Sequence, residues 1–373
     1  MKIHFSILAV ILIAALIWER RIKWNKVYCI HNGERYDYKS ELMPWLLVFG
    51  YMAYLAGMRT SYNDSGAYWR SFDLLEGTWD GFWRQVAKRN TKDWGFDAIS
   101  ILFKIFISDD YHAWFMMYGI VESIILIRIC RRYAVSYLDA CVYFFCSTMY
   151  INYFTMMRQW IAVVVLFAGV VYIREKKTIP YIILCVLMAQ LHNSAYFMIV
   201  VYFIVRGEAW SRKQIAFIIA FPVGMLLLNP IMSGLESTAG STSYDYVLDA
   251  MSSQSGSSPI RIAIAAVPVI LAFVYRDRIE DGVMNVCVNM SLMNLLLTIM
   301  ATFTSGLFII RFTTYTSVYN MLLYPYLLNV ALDRRTSSYV KPAYYIIYFL
   351  FYLYQMNYSP QAWNYGSDIL GIY

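Results

Sequence analysis

Charge is scarce in this sequence. Lys, Arg, Asp and Glu make up 15% of its 373 residues, against about 25% in soluble domains. With 60% hydrophobic residues, that scarcity excludes an ordinary soluble globule. Cysteine is also sparse, and its six copies show no ligand spacing. Cys29 and Cys130 fall in stretches that read as basic loops, while Cys141, Cys146, Cys185 and Cys287 fall inside apolar blocks. No pair sits outside those blocks, so neither a disulfide framework nor a zinc site is expected. There is no internal repeat, no heptad array and no stretch polar enough for a separate soluble domain. The net charge of +7 is not gathered into a basic stripe. That argues against nucleic acid as a partner.

What is present is apolar sequence in blocks. Ile3 to Trp18, Leu42 to Met58, Phe115 to Ile129, Trp160 to Ile173 and Met284 to Thr302 are nearly uncharged and at or near the length of a bilayer span. Their apolarity is uniform rather than striped, as expected of helices surrounded by lipid or by other helices. The first block has only Lys2 ahead of it and its basic cluster behind it. That reverses the polarity of a signal peptide, and a retained helix is expected.

Basic clusters alternate with these blocks. Arg20, Arg21, Lys23, Lys26, Arg35 and Lys39 form the first. Further clusters are Arg128, Arg131 and Arg132; Arg174, Lys176 and Lys177; Arg206, Arg212 and Lys213; Arg276 and Arg278; and Arg334, Arg335 and Lys341. Placing every cluster in the cytoplasm puts two spans between each consecutive pair. The expected fold is an all-α polytopic membrane protein, one transmembrane domain over 1–373, with about twelve helices and both termini outside. Two long outer regions remain. Within 59–111, Trp79, Phe82, Trp83 and Val86 recur at helical spacing beside charges, which predicts an interfacial helix. Phe96 to Ile107 is apolar but too short to span, which predicts a half-inserted or re-entrant helix. The other region, 231–259, is rich in Ser and Gly and predicts a mobile loop.

This topology leaves a few polar residues unexplained. Arg59, Arg158, Arg261 and Arg311 lie at outer helix ends, against the orientation bias. Snorkelling to lipid phosphates accounts for any one of them. An anionic ligand accounts for several at one depth, because the guanidinium fork grips phosphate oxygens bidentately and keeps its charge. His192 sits in a predicted outer turn; it is either a turn residue bonded to backbone, or a proton acceptor or phosphate ligand. Asp64 follows the second span at the membrane surface, as a turn former or as a general base. Tyr68 belongs to a group of aromatics, with Trp69, Phe72, Trp79, Trp83 and Trp94, that forms an interfacial belt or stacks on sugar faces.

At these same positions the sequence resembles the EpsG-like branch of the Wzy polysaccharide polymerases, multi-spanning proteins of bacterial exopolysaccharide, capsule and O-antigen (lipopolysaccharide) synthesis. The matching pieces are Arg59 with Asp64 and Tyr68; Trp94-Gly95-Phe96; Met157-Arg158-Gln159 with Ala162; and His192-Asn193-Ser194-Ala195. They cover about the first 205 residues, and Arg311 is added beyond them. In the first loop Thr60-Ser61-Tyr62-Asn63-Asp64 stands where relatives carry a Gly-Thr-Asp run. The resemblance implies a GT-C-like glycosyltransferase on the outer face of the bacterial cytoplasmic membrane. It would join undecaprenyl-pyrophosphate-linked repeat units, with lipid-linked donor and acceptor as partners, a chain-length regulator as a further one, and no metal or other cofactor. On that basis Asp64 is assigned as base and His192 as donor-phosphate ligand. Arg59, Arg158, Gln159, Arg311, Tyr68 and Asn193 are assigned to pyrophosphate and sugar. A lipid-oligosaccharide flippase or an O-antigen-type ligase is the alternative.

Overall fold

The computed structural model describes residues 2–19, 41–89, 93–222, 258–303, 306–358 and 364–372. Among these residues all the regular elements are helices, and the extended pairing is limited to two isolated bridges, Ser61 with Gly366 and Ser367 with Ile372. The first helices are α1 (Lys2–Ala14), α2 (Leu42–Met58), α3 (Ser65–Asp73), α4 (Trp79–Ala87), α5 (Trp94–Phe106) and α6 (Tyr111–Tyr133). The middle of the chain forms α7 (Tyr137–Cys146), α8 (Met149–Thr155), α9 (Met157–Ala168), α10 (Val170–Arg174), α11 (Thr178–Leu191), α12 (Phe197–Val205) and a helix over 212–222, α13. Then come α14 (Pro259–Val274), α15 (Gly282–Phe303), α16 (Gly306–Ser317), α17 (Asn320–Tyr326) and α18 (Arg334–Tyr358).

Two of the described helices, Tyr111–Tyr133 and Gly282–Thr302, are long and apolar enough to cross a bilayer unaided, and seven more are apolar but 10–17 residues long. The expected spans therefore do not form twelve unbroken rods. Particular residues interrupt them. Gly169 divides the block Trp160 to Ile173 into α9 and α10. Thr148, at φ 64°, turns the chain between α7 and α8, and Met156 separates α8 from α9. Such breaks within apolar sequence are tolerated where neighbouring helices satisfy the freed backbone groups. Cys130 is corrected by the structure: it lies in the last turn of α6 and is fully buried, not in a loop.

Small residues bring α2 and α6 together. A Cβ on Gly119 would lie 3.1 Å from Ala53 Cα and Ala56 Cβ, and one on Gly57 would collide with Met116. This is the close backbone approach by which membrane helices gain packing contacts. The pair is tied further by Ser123 Oγ donating to Phe49 O at 2.8 Å, and Tyr153 Oη, donating to Gly119 O at 2.6 Å, joins α8 to α6.

The described residues of 59–111, expected as an outer region, are built mainly of short helices. α4 covers the expected amphipathic segment and leaves Trp79 and Trp83 exposed. α5 covers the expected half-helix; its 13 residues span about 20 Å, short of the bilayer core. The segment 364–372 lies over the end of α2: Thr60 N donates to Gly366 O at 2.9 Å, and Gly366 N to Ser61 O at 2.7 Å. Residues 231–257 of the expected Ser/Gly-rich loop lie outside the described residues.

The basic segments after α10, α12 and α14 meet at the opposite end of the bundle. Arg206 Nη1 donates to Thr178 Oγ1 at 3.4 Å, and Arg278 Nη1 to Ala331 O at 2.9 Å. A Cβ on Gly282 would touch Arg174.

Candidate functional site

At the end opposite those segments, α3, α5, α9, α11 and α16 surround a cavity of about 300 Å³. Asp64, Tyr68, Asp93, Arg158, Gln159, His192 and Arg311 all line it. These residues come from five separate stretches of sequence, and the helix breaks described above bring them together.

Arg158 stands in the first turn of α9, just after the break at Met156. Its guanidinium lies over the rings of Phe96 and Tyr68, 4.9 and 5.7 Å from their centroids. Asp93 Oδ2 and Asp97 Oδ1 flank it, each at 3.7 Å. These ion pairs are longer than hydrogen bonds, and Arg158 Nε has no hydrogen-bond partner among the described residues. Arg311 projects from α16 and is exposed; no hydrogen bond or ion pair of its guanidinium occurs among the described residues. Gln159 fixes the α9–α16 joint by donating from Nε2 to Arg311 O at 2.7 Å.

Asp93 is 3% exposed and sits in the left-handed region at φ 57°, immediately before α5. Its Oδ1 accepts from Asn193 N at 3.0 Å, and its Oδ2 lies 3.3 Å from His192 Nδ1. His192 closes α11 in an extended conformation that turns its ring toward the cavity. The motif Trp94-Gly95-Phe96 explains how α5 meets α11. Trp94 Nε1 donates to Gln190 Oε1 at 2.7 Å, and Gly95 approaches so closely that a Cβ would lie 2.9 Å from Gln190 O. Phe96 then carries the Arg158 guanidinium on its face.

Asp64 caps α3, its carbonyl accepting from Ala67 N and Tyr68 N, and its exposed carboxylate reaches the cavity. Burial raises the carboxyl of Asp97 above its ordinary range, against the pull of Arg158, and Asp93 raises it further. Burial likewise raises the Tyr68 hydroxyl. The balance around the cavity is two arginines against the carboxylates of Asp64, Asp93 and Asp97.

Two sequence-predicted residues, Arg59 and Asn193, do not line the cavity. Arg59 is 1% exposed and turns back onto its own helix, donating to Ala56 O and, from Nε, to Ser65 Oγ at 3.0 Å, with Phe115 3.8 Å beneath it. A basic side chain that satisfies the last carbonyls of a helix is a C-terminal cap. Arg59 does not line the cavity. Asn193 contributes its backbone N–H to Asp93. Sequence reasoning missed Asp93 and Asp97. Their one signal was position, flanking Trp94-Gly95-Phe96.

Fold and composition define an all-helical membrane protein with a charged cavity at one end of its bundle. The chain belongs to the EpsG family, whose family model matches residues 42–367. The match includes the C-terminal half, where the sequence pieces quoted above do not reach. Searches of the curated proteins and of the solved structures find no match to this chain. Membership assigns it at the coarse level to membrane proteins of polysaccharide-polymerase type.

Proposed function

We propose that this cavity is the active site of a glycosyltransferase that polymerises lipid-linked oligosaccharide repeat units. In this reading the chain crosses the bacterial cytoplasmic membrane about twelve times. The cavity faces outward, and the donor is an undecaprenyl-pyrophosphate-linked oligosaccharide. The observation that carries the proposal is the convergence of Arg158, Arg311 and the Asp93–His192 pair on one cavity.

The chemistry asks for fixed cations and a base. The bond from the anomeric carbon to the pyrophosphate oxygen breaks as the bond to the acceptor hydroxyl oxygen forms, through an oxocarbenium-like transition state. Negative charge gathers on the departing pyrophosphate, where preorganised guanidinium groups stabilise it most. Arg311 offers its fork directly. Arg158 is held by Asp93 and Asp97 at ion-pair rather than hydrogen-bond distance, so its N–H groups remain available to phosphate oxygens.

The Asp93 contact bears on the base. When His192 donates from Nδ1 to Asp93, the neutral ring presents a bare Nε2, which accepts a proton and cannot donate to phosphate. This supports His192 as the base that takes the acceptor hydroxyl proton, with Asp93 orienting it. Asp64, exposed at the rim, then hydrogen-bonds the acceptor sugar. These roles move the base from Asp64, where the sequence reading put it, to His192, and give Asp64 the acceptor sugar instead.

The test is to incubate purified protein with a lipid-linked repeat unit and no other acceptor. A ladder of products supports the proposal. Transfer only when a second lipid acceptor is added would mean a ligase, and no product from folded protein would favour transport.

A further inference from the structure

A second cavity of about 290 Å³ adjoins the first, and the two share Met156 and Arg311 in their walls. The two cavities differ in chemistry. Where the first is lined by carboxylates, arginines and an imidazole, the second has no carboxylate or imidazole among its described lining residues; beside Arg261 and Arg311 it is lined by neutral amides and hydroxyls, among them Asn152, Asn294, Asn320, Thr298 and Ser147. Asn294 lies in the middle of α15, one of the two helices long enough to cross the membrane. Amides and hydroxyls at that depth are costly unless they meet water or a ligand.

Much of this hydrogen-bonding capacity has no partner among the described residues. Among the described residues no hydrogen bond of the Asn152 or Asn294 side-chain amide occurs. Asn320 is 2% exposed and donates from Nδ2 to Tyr143 Oη at 3.3 Å, yet its Oδ1 has no partner among the described residues. Arg261, the only charged wall residue besides Arg311 among the described residues, is held on Gln355 Oε1 by Nη2 at 2.9 Å and Nε at 3.2 Å. Rings of Tyr348 and Phe351 complete the wall.

We infer that this second cavity binds an uncharged pyranose unit of the substrate, held by the Asn152, Asn294 and Asn320 amides. Each amide supplies both donors and an acceptor, which matches the paired donor and acceptor character of sugar hydroxyls. A cavity near 300 Å³ is at the small end of ligand sites and suits a single ring. Rejection of an analogue lacking a hydroxyl is the specificity such unpaired buried groups produce. The inference rests on the polymerase reading for its purpose, though the binding itself does not depend on that reading.

The test uses the full chain in nanodiscs and saturation-transfer NMR with three probes: methyl α-D-glucopyranoside, N-acetyl-D-glucosamine and sodium D-glucuronate. The expected result is saturation of at least one neutral sugar. Its affinity should fall about tenfold in Asn294→Leu and in Asn320→Leu, the loss of one or two hydrogen bonds each. Should a Leu variant misfold, Asn152→Cys provides a second readout. Its alkylation by a polar maleimide should slow about threefold or more under saturating glucoside, the fraction of occupied sites setting the rate. Sugar binding that survives both Leu substitutions, or the absence of saturation with every probe, would overturn the inference and mean a water-filled cavity only. A protein that binds the neutral sugar through these asparagines yet makes no ladder would refute polymerisation and leave the sugar site standing.

Discussion

Asp93 and Asp139 are both buried aspartates, at opposite ends of the bundle, and each faces a basic residue. Asp139 is fully buried in α7. It receives Asn329 Nδ2 at 2.7 Å, Lys341 Nζ at 3.0 Å and the Tyr345 hydroxyl, while Tyr344 Oη bonds its carbonyl at 2.8 Å. This network ties α7 to α18 and to the turn after α17, and every contact is short. Asp93 holds His192 at 3.3 Å and Arg158 at 3.7 Å, beside open space. A closed network of short bonds rigidifies a fold. A looser one bordering a cavity leaves its members able to exchange a protein partner for a ligand.

The largest expected effect breaks the looser end. His192→Gln keeps hydrogen bonding but removes the base, and turnover should fall by about 10² to 10⁴ with donor affinity unchanged. Asp93→Asn should lower turnover in the same direction, since it removes the charge that orients the ring. Asp64→Asn should raise the apparent Michaelis constant for acceptor while turnover falls less. Measuring turnover and affinity separately on lipid-linked donor checks this. A dead Asp64→Asn beside an active His192→Gln would return the base role to Asp64.

The closed end should respond in stability rather than in chemistry. Asp139→Ala strips a buried network of its acceptor and should cost about 3 kcal/mol or more of stability. The folded fraction should still polymerise at the wild-type rate per molecule. Thermal unfolding in detergent, with activity normalised to folded protein, separates the two.

The smallest expected effect sharpens the comparison within the cavity end. Burial raises the Asp97 carboxyl above its unfolded value of 3.8. Its contribution to stability is therefore fully present below that pH and is lost as pH rises through the folded value. Asp97→Asn should match wild type in thermal midpoint at low pH and exceed it modestly at neutral pH. A gap that instead opened on acidification would contradict the sign.

Much of this was legible in the sequence. Uniform apolar blocks and sparse charge reveal helices in a membrane, and the short blocks over 79–107 became α4 and α5 where expected. Arg158, His192, Arg311 and Asp64 are conspicuous in the sequence as polar residues the topology does not explain, Tyr68 as an aromatic near them and Gln159 through the family resemblance, and all line one cavity. Arg59 looked the same in sequence. Its difference is a backbone that turns extended after α2, with φ −73° and ψ 136°, beside a Ser65 that accepts its Nε. Asp93 was hidden for the opposite reason. A single aspartate in a polar stretch is ordinary, and only its left-handed backbone and the approach of α11 through Gly95 make it the partner of both Arg158 and His192. The helix breaks at Thr148, Met156 and Gly169 are tertiary effects, since none of those residues forbids a helix.

The contrast between the two ends is tested most directly by Arg158→Lys and Lys341→Met, purified side by side and assayed for ladder formation per folded molecule. The account predicts that Arg158→Lys, which keeps the charge but loses the fork, unfolds at the wild-type temperature and makes almost no polymer. Lys341→Met should unfold at a lower temperature and make polymer at the wild-type rate. Normal polymer from Arg158→Lys, or loss of polymer confined to Lys341→Met, would contradict it.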